Sequence, residues 1–200
     1  MVCLDLRRSQ PFTFYSETLM SVLTKAPAEI ILDMIKATHA GDAKVAGLTT
    51  QLVTFGLPTA ASGQNPTRNT QLTVSSVEGS GYAGDVVITY NRLTFDQVVK
   101  TKDKVFTLGD ATKVSDLVAE INARYNIALT ADDYVDADLP AFTGEANEKH
   151  TFNLTANADS LIFIGSIELT VKGENIALSD VITTTEMNGL TPPEDDVQPQ

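Results

Sequence analysis

The sequence predicts an α+β protein of two tandem similar units, each a helix packed on a small antiparallel β-sheet. An N-terminal arm and a disordered acidic C-terminal tail flank the units. Three observations predict it. First, the chain repeats itself at an offset of 81 or 82 residues: Leu48 to Pro58 recurs as Leu129 to Pro140, Thr70 to Val74 as Phe152 to Ala156, and Ala83 to Tyr90 as Ile164 to Val171. A repeat longer than a motif points to a duplicated small domain. Second, an apolar stripe at helical spacing precedes each copy. Third, each copy ends in residues that alternate with period two, the mark of a strand with one buried face.

The elements follow in chain order. Residues 1–26 stand outside the repeat as the arm, where Phe14 to Thr24 forms either a short helix or a segment that orders only against a neighbour. Unit one spans 27–95. It opens at Pro27, whose missing N–H suits a first helical turn. Ile30, Met34 and Ala37 fall on one stripe, widened by Ile31 and Ile35, and Gly41 is a stop. Residues 96–111 read as a linker. Unit two spans 112–185, with Thr112 as N-cap, a stripe of Val114, Leu117, Val118, Ile121 and Tyr125, and Asn126 as terminator. The Leu-Thr segment follows each helix. Then comes a hairpin: Leu72 to Val77 facing Val86 to Tyr90, and Phe152 to Asn157 facing Ile167 to Val171. The loops 60–69 and 144–149 hold equivalent places and read as mobile. Residues 186–200, with Pro192, Pro193, Glu194, Asp195 and Asp196, have no apolar period and read as the tail.

Composition narrows the function. The formal net charge of -12 opposes a nucleic-acid partner and favours basic neighbours. The single cysteine, Cys3, rules out an internal disulfide. The N-terminus has no apolar core of a signal peptide, and the longest apolar run, Leu161 to Ile164, is far too short to span a bilayer. These features predict synthesis in the cytoplasm and no membrane partner.

The candidate chemistry is sparse. Gly79-Ser80-Gly81-Tyr82-Ala83-Gly84 matches G-x-G-x-x-G, but a dinucleotide site needs a helix after it, and Asp85 to Tyr90 reads as a strand. The glycines fit a hairpin turn that needs positive φ. His39 sits at a helix end and His150 opens a strand; with one cysteine, no Cys/His zinc set forms. Asp132, Asp133, Asp136 and Asp138 lack the spacing of a calcium loop and read as a solvated acidic face. Asn153-Leu154-Thr155 is a glycosylation sequon by letter, placed within a strand. No catalytic residue, cofactor, metal or small-molecule substrate is expected.

The phrase Asn69-Thr70-Gln71-Leu72-Thr73-Val74, then Gly79-Ser80-Gly81-Tyr82-Ala83-Gly84, then Val87-Ile88-Thr89-Tyr90-Asn91-Arg92-Leu93 resembles a module of uncharacterised virion structural proteins of large-genome tailed bacteriophages of the myovirus type. Unit two resembles it through Leu129-Thr130, Leu139-Pro140 and Ile164-Gly165-Ser166 but lacks the Tyr-Asn-Arg-Leu ending. The resemblance implies a non-enzymatic particle component of head, neck or tail. Its partners would be other virion proteins or copies of itself, and it would be located in the virion. The alternative is a tandem ligand- or host-surface-binding module, and against it stands the absence of tryptophan.

Overall fold

The computed structural model describes residues 23–62, 67–184, 186 and 189. The expected arm helix and nearly all of the expected tail lie outside them. The described chain is α+β. Helix α1 spans Pro27–Thr38 and α2 Ala43–Ala46. Strands β1 (Val53–Phe55), β2 (Thr59–Ala60), β3 (Thr70–Ser76) and β4 (Asp85–Tyr90) follow, then β5 (Leu93–Thr94), α3 (Phe95–Val99) and β6 (Val105–Thr107). Helix α4 covers Val114–Tyr125. Strands β7 (Lys149–Thr155), β8 (Phe163–Ile164) and β9 (Ser166–Lys172) precede α5 (Leu178–Val181).

Both long helices begin and end for local reasons. Pro27 opens α1, and Gly41 beyond its end holds a φ of 101°. The expected cap of α4 is displaced. Lys113, not Thr112, precedes the helix, and the Asp116 carboxylate reaches back to the N–H groups of Thr112 and Lys113 (2.8 and 3.0 Å). Those two backbone bonds hold Asp116 below the usual carboxylate range. Asp136 adds a cap from outside by accepting from the Ser115 N–H at 2.8 Å. Asn126 ends α4 in the left-handed region, as its short polar side chain allows.

Three small sheets hold the strands. In the first, β3 pairs antiparallel with β4 on one edge and with β1 and β2 on the other. In the third, β9 lies between β7, antiparallel, and β6, parallel. The second sheet is a short parallel ladder of β5 with β8, which joins the two halves of the chain.

The register corrects the repeat as aligned from sequence. The first hairpin pairs Thr70 with Tyr90 and Leu72 with Ile88; the second pairs His150 with Val171 and Phe152 with Leu169. Matching the return strands Tyr90 to Val171 therefore sets Leu72 on Phe152, two residues from the aligned partner Leu154. A slip of two keeps every side chain on its face, so the burial pattern concealed it.

The core is continuous across both halves. Ile30, Ile31, Leu72 and Tyr90 share one cluster with Leu117, Ile121, Leu154, Leu169 and Val171. Leu32 instead joins Val53 and Val74 in a small second cluster, so α1 buries two sides where the sequence stripe offered one. Ala37, placed on that stripe, is exposed. Residues 96–111 do more than link: Val98, Val99 and Phe106 are buried in the shared cluster. Leu23, expected in the arm, is buried there too, and its carbonyl accepts from the Ala128 N–H at 2.9 Å. No helix among the described residues is long and apolar enough to cross a membrane.

Candidate functional site

The densest polar arrangement is a joint between the two halves, built from the phrase Asn69-Thr70 and Tyr90-Asn91-Arg92-Leu93. Asn69 and Arg92 meet where β3 begins and β4 ends. The Asn69 side chain accepts from the Arg92 N–H (2.8 Å) and the Thr70 hydroxyl (2.7 Å), and donates to the Arg92 carbonyl (2.9 Å). Asn91 returns the tie by accepting from the Asn69 N–H at 2.8 Å. From this knot two side chains reach across. The Tyr90 hydroxyl donates to the Leu161 carbonyl at 2.6 Å. The Arg92 guanidinium donates to the carbonyls of Ala158 (3.0 Å) and Ser160 (2.9 Å) and to the Thr70 hydroxyl (3.1 Å). The Leu93 N–H donates to the Ile162 carbonyl at 2.8 Å, which starts the β5–β8 ladder.

The receiving loop, residues 157–163, is held from behind by a buried carboxylate. Asp133 is 1% exposed. It accepts from the Ser160 hydroxyl (2.7 Å), the Thr130 hydroxyl (2.8 Å) and the Thr130 N–H (2.9 Å). Ser160 in turn accepts from the Phe163 N–H at 3.1 Å. A buried charge is tolerated when such bonds saturate it. Burial pushes the Tyr90 hydroxyl up to about 12 and lowers Arg92 from its ordinary value. Phe95 and Phe163 stack with centroids 5.1 Å apart and close the joint on its apolar side.

The other sequence candidates fall elsewhere and do not converge. Asp85 begins a strand, and Gly79, Gly81 and Gly84 hold φ of 76°, 84° and 88° in the turn ahead of it, so the glycines bend a hairpin. His39 bonds its own helix end, Nδ1 to the Ile35 carbonyl at 2.9 Å. His150 meets Glu148 at 2.7 Å. Glu148 also accepts from the Thr143 and Gly144 N–H groups (3.0 and 3.2 Å). The His150 bond, then the Thr143 N–H, hold Glu148 down to about 2 against the opposing effect of burial. That pair staples loop 144–149, further tied by Asn147 to Asn175 and Asp180. The sequence read this loop as mobile; its hydrogen bonds show it anchored.

The solvated acidic face is corrected at Asp133 alone; Asp132, Asp136 and Asp138 are exposed. Asp133 is buried in the joint, Asp136 caps α4, and Asp138 lies 3.5 Å from the Lys113 ammonium. No group of three or more metal-ligating side chains gathers among the described residues. Asn153 lies within β7, exposed.

Sequence reasoning missed the joint because its halves are far apart in the chain. The signal was present in the ending Tyr90-Asn91-Arg92-Leu93, found in the first half only. No curated protein and no solved structure matches the chain. One family does, over residues 20–200, and the chain belongs to it: the family of unknown function DUF7941.

Proposed function

We propose that the chain is a non-enzymatic structural component of a tailed-phage virion, acting through protein–protein contacts in a multi-copy assembly. In this reading it consists of two related helix-plus-hairpin units, is made in the host cytoplasm and resides in the particle. The observation that carries the reading is the joint. Among the residues that bear the likeness to phage virion proteins, Tyr90, Arg92 and Leu93 bond to the other half, and Asn69 and Asn91 brace them from their own side. Fixing two units at one orientation is what a building block requires of its polar residues. The matched phase of the two hairpins supports the duplication.

Contact surface is available. Ile176, Leu178, Val181 and Ile182 are exposed together along and beside α5, an apolar patch of the kind that marks protein contacts. The net charge of -12 favours basic neighbours and discourages adhesion to packaged nucleic acid. Mass spectrometry of purified particles tests the reading. The protein is expected among the stoichiometric components, and its absence from mature particles removes the proposal.

A further inference from the structure

The third sheet ends in an arrangement that the joint does not use. Its strands set Lys149 of β7 opposite Lys172 of β9, and Thr107 of β6 beside Lys172 on the other edge. All three are exposed on the outer face, next to Phe106 and Val171, which are buried on the inner one. The Ala156 N–H donates to the Gly165 carbonyl and the Gly173 N–H to the Glu148 carbonyl, at 2.8 and 2.9 Å. Bonding alternates between those points, so Lys149 and Lys172 face each other without a mutual backbone bond. Side chains stand closest in such a pair, and like charges placed there destabilise a sheet. The chain has 26 acidic residues against 14 lysines and arginines. Yet among the described residues no carboxylate pairs with either ammonium. Two acids of this region are engaged elsewhere: Glu148 by His150, and Asp180 by the Asn147 amide at 2.8 Å.

A cavity of about 390 Å³ opens over the pair, lined by Thr107, Asn147, Lys149, Lys172, Glu174 and Ile176 among others. Its loop wall is held in place. The Asn147 N–H donates to the Asn175 carbonyl at 2.8 Å, and the Asn175 side chain donates to the Gly144 carbonyl at 2.7 Å. The volume falls in the range of small-molecule sites and exceeds what an inorganic ion fills. The lining indicates the chemistry. Two ammoniums offer positive charge to one anionic group. Glu174 offers an acceptor and repels a bare anion. Thr107 and the asparagines can donate and accept. Ile176, 67% exposed, supplies an apolar wall.

We propose that this cavity binds a sugar-sized anion, its carboxylate or phosphate set between Lys149 and Lys172 and its hydroxyls donating to Glu174. A bare anion leaves Glu174 opposed, whereas an anion on a hydroxylated body answers both signs of charge. The ligand also relieves the repulsion between the two lysines. This inference stands on the second half of the molecule and not on the virion role.

Titration of the isotope-labelled full chain, followed by its amide NMR shifts, tests it. The probes are glucuronate, glucose-6-phosphate, glucose and inorganic phosphate. At low salt, glucuronate or glucose-6-phosphate is expected to move the Thr107, Lys149, Lys172 and Asn175 amides with a Kd below ~1 mM, while glucose moves none. Replacing both lysines, Lys149→Gln and Lys172→Gln, should weaken binding at least ~10-fold. The same variant should keep or raise the urea midpoint, because it removes a like-charge pair. Glu174→Gln should weaken the anionic sugars and strengthen inorganic phosphate. Binding of either anionic sugar upholds the proposal, and the tighter of the two names the headgroup. No shift by either at ~10 mM overturns it. Binding that survives the loss of both lysines also overturns it, as does inorganic phosphate binding as tightly as glucose-6-phosphate. A particle found to lack the protein leaves these titrations untouched.

Discussion

Strands β4 and β9 are the return strands of two hairpins with one phase, yet they live in different surroundings. Leu169 of β9 is 0% exposed, while its counterpart Ile88 is only half-buried. The hairpins do not cause the difference; their neighbours do. β9 is central because β6 covers its outer edge, and among the described residues β4 is an edge. A strand's alternation therefore says which face is inward, but the number of strands beside it decides how far inward that face goes.

Four substitutions probe this comparison. The largest effect belongs to Phe106→Ala, which removes from β6 the ring packed on Tyr125. A loss of about 3–5 kcal/mol is expected in urea unfolding, as for a fully buried aromatic. A loss under about 1 kcal/mol would mean that β6 is not what buries the second hairpin.

Next comes Asp133→Ala, which leaves the Thr130 and Ser160 donors without their shared acceptor. About 2–3 kcal/mol is expected, with the Phe163 amide losing exchange protection before the β3–β4 ladder does. Simultaneous loss in both hairpins would show that the joint fails as one unit with them.

Glu148→Gln lowers stability at neutral pH, and its difference from wild type disappears in acid. The folded state lowers the Glu148 carboxyl from 4.5 to about 2, so its contribution is complete above the unfolded value, shrinks as pH falls, and is gone below about 2. The variant should flatten the acid limb of a stability–pH curve inside that window and leave its slope above pH 5 unchanged. An unaltered limb would mean that the pair with His150 does not form.

The smallest effect is predicted for Val87→Thr on the exposed β4, within about 0.5 kcal/mol. A larger loss would show that something covers that side chain.

Much of this was legible in the sequence. Both long helices, both hairpins and the glycine turn before Asp85 follow from periodicity and from the special backbone demands of Pro and Gly. These are local properties, written within a dozen residues. What stayed hidden was non-local. β6 is three residues long, too short to show a period, and its place beside β9 depends on chain far from it. The joint is the same kind of case. Arg92 acquires meaning only when residues 157–163 arrive beside it. Asp133 looked like one of four surface acids until Ser160 closed over it. The two-residue slip in the repeat escaped because hydropathy reports parity and is blind to an even shift.

Arg92 has one further property. Its three acceptors are two main-chain carbonyls and a hydroxyl, and none of these takes up or releases a proton under ordinary conditions. Ion pairs such as Lys25 with Asp33, at 2.6 Å on the open surface, weaken as electrolyte rises. A clasp of guanidinium on amide oxygen has no counter-charge to be screened away. The angle between the two sheets is thereby insulated from changes in the ionic medium, while the periphery of the molecule remains responsive to them.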